Sequence, residues 1–135
     1  MEIEFRGIRK SNGNFIYGSL IYRPYGFAEN EKEYAAIILF DKYSDSSYNA
    51  YLEEEVIPES VGQYTGLLDK NGLKIFGGDF VQLENSVRVF EFYKNCFWLI
   101  HPTKGFKFPI NMITDDHLKS IEVIGNIHQH KELLE

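Results

Sequence analysis

The sequence has a single cysteine, Cys96, so no disulfide can form within the chain, and a reducing compartment is expected. Its longest apolar run, Tyr34 to Phe40, is far short of the roughly 20 residues that a membrane-crossing helix needs. The opening Met1-Glu2-Ile3-Glu4-Phe5 is acidic and has no apolar h-region, so no signal peptide is expected and the protein reads as cytoplasmic, with no membrane partner. Positive charge is not in excess: 14 Lys and Arg face 20 Asp and Glu, for a net charge of −6, which opposes duplex binding. There is no linker rich in proline, glycine or serine, no internal repeat and no low-complexity segment. Phosphate-loop, dinucleotide and paired Cys-x-x-Cys signatures are also missing. A chain of 135 residues without such breaks is expected to be one domain.

Aromatic residues are plentiful. They make up 16% of the chain, with 11 Phe and 9 Tyr, a composition that suits pleated, half-buried surfaces. Asn12-Gly13 separates two apolar runs and predicts a hairpin with a type I′ turn between strands near 2–9 and 14–22. Tyr34 to Phe40 reads as a buried strand, with a short helix as the alternative. Asp41 to Tyr51 reads as a loop, and Glu53-Glu54-Glu55 as a solvated edge. Asn71-Gly72 is a second turn signal. Lys74–Phe76, Phe80–Leu83, Val87–Tyr93, Phe97–Ile100 and Ile121–Ile127 read as four or five short strands, Lys104-Gly105 as a turn into Phe106–Ile110, and Thr114-Asp115-Asp116 as a helix start. The expected fold is mainly β: an SH3-like small barrel over about residues 61–130, an N-terminal β-hairpin region of about residues 1–60 packed on it, and one or two short helical turns.

Several constellations could carry chemistry. Gln63, Tyr64, Thr65 and Asp79 could line a polar groove, although glycines and turn-forming aspartates also explain this segment as architecture. Asp69 and Asp79 could form an acid–base pair. His117, His128 and His130, with Asp115 or Asp116, could in principle bind zinc, but nothing in the spacing brings these segments together, and no metal site or cofactor is expected. Cys96 reads as a small filler rather than a nucleophile. Residues 73–113 hold five basic and three acidic side chains and are mildly basic within an acidic protein. There Phe90, Phe92, Tyr93, Phe97, Trp98, Phe106 and Phe108 are interleaved with Arg88, Lys94, Lys104 and Lys107. Most of these rings are expected in the core, leaving Tyr93, Trp98, Lys104 and Lys107 as candidate contacts for single-stranded nucleic acid.

Three stretches resemble a known family: Phe5-Arg6-Gly7; the long run Val61-Gly62-Gln63-Tyr64-Thr65-Gly66-Leu67-Leu68-Asp69-Lys70-Asn71-Gly72-Leu73-Lys74-Ile75-Phe76-Gly77-Gly78-Asp79-Phe80-Val81; and Ile121-Glu122-Val123-Ile124-Gly125-Asn126-Ile127-His128. They are similar to the opening, centre and closing strand of the YopX-like phage and prophage proteins. Gly7 stands where the family commonly has alanine, Ile8 where it has tryptophan, and Gly77 where a glutamate precedes Gly-Asp. The resemblance implies an SH3-like fold and an origin in a phage or mobile element of bacteria. It carries over no catalytic residue, and the family's molecular function is undetermined. The expected role is a non-enzymatic binding or adaptor module that meets a protein partner, or a second copy of itself, through the barrel surface or the Asp41–Tyr51 loop. The alternative is weak single-stranded nucleic-acid binding through residues 73–113.

Overall fold

A computed structural model of the chain describes residues 2–24, 34–41, 51–130 and 132. Most of the expected Asp41–Tyr51 loop lies outside the described residues, as does the charged stretch 29–33. The chain divides into two compact units, Glu2–Gln63 and Tyr64–Glu135.

In the first unit the apolar runs around Asn12-Gly13 form the expected hairpin. Strand β1 (Phe5–Ile8) pairs antiparallel with β2 (Phe15–Pro24), Ile8 opposite Phe15. The turn is wider than type I′. Only Gly13 takes a positive φ, 75°, and its N–H donates to Arg9 O. Asn12 Oδ1 accepts the Asn14 N–H at 2.9 Å, the local bond that short polar side chains offer in turns. The apolar run after residue 33 is a strand, β3 (Tyr34–Asp41), with Ala36 and Ile38 buried. β4 (Tyr51–Val56) carries the three glutamates and, among the described residues, pairs along its length only with β3. Charges suit such an edge, and Arg23–Glu53 and Lys10–Glu55 ion pairs decorate it. The end of β4 returns to β1: Ile57 N–H donates to Ile8 O and Lys10 N–H to Glu55 O. The sheet therefore curls around Ile16, Ala36, Ile38 and Val56. A 3₁₀ turn, Pro58–Ser60, follows, and its Ser60 Oγ accepts the Ile8 N–H.

β5 (Gly62–Leu68), not foreseen as a strand, gives Gly62 and Gln63 to β1. From Tyr64 onward, in the second unit, it pairs with β6 (Lys74–Phe76) around a register shift. β7 (Asp79–Leu83), β8 (Ser86–Tyr93), β9 (Cys96–Ile100) and β10 (Lys107–Pro109) form an antiparallel meander, and β11 (Ile121–Asn126) pairs with β7. A 3₁₀ turn, Ile110–Met112, and a helical turn, α1 (Asp115–Leu118), precede β11. Thr114 caps α1 as its position predicts: its Oγ1 accepts the His117 N–H, while His117 Nδ1 accepts the Thr114 N–H. Ile75, Val81, Phe90, Leu99 and Ile121 form the core of this unit, each side chain contributing roughly 1.5–3 kcal/mol by burial.

The protein is thus mainly β with two antiparallel sheets, of six and five strands. A closed barrel does not form. The free edge of β11 is taken by the turn after β5, where Lys70 N–H donates to Ile121 O and Val123 N–H donates to Asp69 Oδ2. At the other end β10 is short and finishes on Pro109, which has no N–H for a further ladder. The helical turns number three among the described residues, and no described helix is long and apolar enough to cross a membrane. The aromatic expectation also needs correcting. Of the seven interleaved rings only Phe90 and Phe97 are buried, because Phe92 and Tyr93 run past the core at the tip of the β8–β9 hairpin, Phe106 precedes the short edge strand β10 and Phe108 lies in it.

Candidate binding site

Of the polar residues that the sequence marks around Gln63–Asp79, Thr65, Asp69 and Asp79 are occupied by the backbone. Thr65 Oγ1 donates to Ile75 O at 2.7 Å and accepts the Leu67 N–H. Asp79, 1% exposed, accepts the Phe76 N–H at 2.8 Å. Tyr64 buries its ring against Phe76, under the Lys74 ammonium. Gln63 sits opposite Phe5 in the first unit's β1–β5 pairing. Asp69 is the most heavily used: Oδ1 accepts the N–H groups of Asn71 and Leu73, and Oδ2 that of Val123. Buried carboxylates satisfied in this way fix turns and strand edges.

A different feature is open. A cavity of about 220 Å³ lies between β10, the helical turns and the outer end of β7–β8. Its walls are Leu83, Leu99, Phe106, Phe108 and Ile113, and its polar groups are Arg88, Lys107 and His117. Arg88 is half-buried on β8, in phase with Phe90 and therefore on the core face. Among the described residues no hydrogen bond or ion pair engages its guanidinium. The His117 ring meets Phe108 edge-on at 6.0 Å. Sequence reasoning missed this site, although a basic residue in register with core aromatics was a visible signal.

Tyr93, Trp98 and Lys107 do come together. Trp98 Nε1–H donates to Tyr93 O at 2.7 Å, and the ammonium groups of Lys107 and Lys94 lie 4.6 and 5.3 Å from the Tyr93 ring centre. Lys104 is elsewhere, in a polar depression with His101, Thr103 and Glu132. Among the described residues no group of three His, Cys, Asp or Glu could hold a metal ion. His130 Nδ1 accepts the Asn126 N–H, whereas His117 caps α1.

His101 Nδ1 accepts the N–H groups of Thr103 and Lys104. Burial, followed by the charges of Arg88 and Lys104, lowers its pKa below the usual 6.5. The neutral ring is favoured in the fold, so its contribution is present above the unfolded-state value and lost as pH falls through the folded-state value. In an NMR titration the Thr103 and Lys104 amide shifts should move together with a midpoint below 6.5. A midpoint at or above that value would contradict this environment.

These observations define a two-sheet, mainly β protein with a cation-rimmed apolar cavity. The chain belongs to the YopX family: the family model described as YopX protein matches residues 4–135. Among solved structures the chain is similar to protein EF1440 from Enterococcus faecalis, at 22% identity and a TM-score of 0.56, over 100% of this chain and 99% of that one. At that identity the likeness concerns the fold. No curated protein matches the chain.

Proposed function

We propose that the protein is a non-enzymatic binding module that engages a protein partner through the open concavity beside β8–β10. The observation that supports this is how polar groups are distributed. Asp69, Asp79 and Thr65 are consumed by backbone hydrogen bonds, while the open concavity combines apolar walls with unpaired positive charge. That arrangement suits recognition rather than proton or group transfer. The strand order β10-β9-β8-β7-β11, with helical turns before the last strand, supports reading this sheet as an opened SH3-like element. A phage or mobile-element origin and a bacterial cytoplasmic setting are consistent with the family and the lone thiol. Panning a random-peptide display library on the folded chain tests the reading. Saturable binders that ignore the denatured chain are expected, and a failure to enrich any peptide would count against it. Light scattering tests the alternative partner, a second copy of the chain.

A second reading, single-stranded nucleic-acid binding, draws on the half-exposed Tyr93 beside Lys94 and Lys107. It requires salt-dependent retention of an oligonucleotide, reduced by Lys104→Glu and Lys107→Glu. No retention at low salt would remove it.

A further inference from the structure

We infer that the cavity beside β10 recognises one large apolar side chain together with a neighbouring carboxylate, that is, an acidic–apolar segment of a partner protein. This deepens the binding-module reading and rests on it. The volume, about 220 Å³, is below the roughly 300–1,000 Å³ of sites that enclose drug-sized ligands. It suits a single leucine, phenylalanine or similar side chain, with Leu99, Phe106 and Phe108 as walls.

The sign of the charge follows from the polar groups. Among the described residues no acidic side chain lines the cavity. The Arg88 guanidinium offers five N–H donors and no acceptor, and within the described residues nothing satisfies it. Leaving such a group half-buried and unpaired is unfavourable, and a carboxylate met in bidentate geometry is its best complement. His117 adds to this. Its Nδ1 is engaged as an acceptor by the Thr114 N–H, so the neutral ring carries its proton on Nε2 and is a second donor. Asp115 and Asp116 on α1, beside His117 in the chain, are not among the lining residues, and Asp116 faces Lys119. Lys107 adds positive charge at the rim while its ammonium rests over Tyr93. All three polar groups therefore favour a negative ligand, in a chain whose net charge is −6.

The test begins with peptides enriched from the random library on the intact chain. They are expected to share a large apolar residue within one or two positions of Asp or Glu. Affinity of a synthetic enriched peptide should fall at least tenfold with Arg88→Gln. It should fall equally when the peptide carboxylate becomes an amide, and no further when both changes are combined. Lys107→Glu, at an exposed position that leaves the core untouched, should weaken the same peptide several-fold even if Arg88→Gln disturbs folding. Enriched peptides that are basic or purely apolar, or an affinity indifferent to both variants, would overturn this inference and leave the binding-module reading standing. Enrichment of no peptide at all would remove both.

Discussion

Asp69→Ala is expected to destabilise the fold by about 3–5 kcal/mol, since three backbone donors lose a charged acceptor inside the protein. Asn71 and Leu73 N–H groups hold one carboxylate oxygen at 2.8 and 2.9 Å, and the Val123 N–H holds the other at 3.0 Å. The residue is 5% exposed, so water cannot easily replace the lost acceptor. The first two bonds shape the β5–β6 turn in which Gly72 takes a φ of 81°. The third, with Lys70 N–H on Ile121 O, caps the free edge of β11. Typical domains have only about 5–15 kcal/mol of net stability, so the loss is a large fraction of the whole. Urea unfolding would measure it, and a loss below about 1 kcal/mol would show that the edge cap is dispensable. Asp69→Asn keeps the shape and one acceptor oxygen but turns a donor towards a donor, so its stability should fall between alanine and the parent. Hydrogen exchange at the Val123 amide should accelerate in both variants, because that amide is bonded only through Asp69 on this edge.

Asp69 also shows what the sequence could and could not disclose. Its place in an Asp-x-Asn-Gly turn is legible, because short polar side chains and glycine favour that conformation locally. The bond to Val123 spans 54 residues, and no local rule announces it. That long-range bond fills the edge that barrel closure would have needed, so the expected barrel failed for a reason written in tertiary contacts. β7, β8 and β9 were legible as short β-branched and aromatic runs separated by turn residues. The two-residue turn geometry was assigned to the wrong place. It belongs to Lys94-Asn95, whose φ values are 49° and 66°, and not to either Asn-Gly pair. β5 escaped notice because its glycines at 62 and 66 weaken the strand pattern. Of the cavity, Arg88 was legible through its phase with Phe90. His117 was not, because its role as the reciprocal partner of Thr114 replaces the glutamate or glutamine usual in a capping box.

Gly7→Ala is expected to cost about 1–3 kcal/mol, although alanine is what the related opening sequences commonly carry at this position. The constraint is space. A Cβ at Gly7 would lie 2.8 Å from both Cβ and Cγ2 of Val56 and 3.0 Å from its Cγ1. Val56 cannot simply turn away. It is fully buried, pairs with Ala36 on β3 and bridges to Arg9, and the next residue's N–H is bonded to Ile8 O. β1 and the end of β4 therefore approach each other as closely as a missing side chain permits, which is how the first unit's sheet curls onto its own core. A double-mutant cycle separates this account from a general intolerance of the site. Val56→Ala alone should destabilise by leaving a cavity. Combined with Gly7→Ala it should cost less than the two single changes added together, by about 0.5–1 kcal/mol, since both Cγ contacts are removed. Recovery should stay partial because the contact between the two Cβ atoms remains. Strict additivity in urea unfolding would mean that the close approach of Gly7 to Val56 is not what demands glycine.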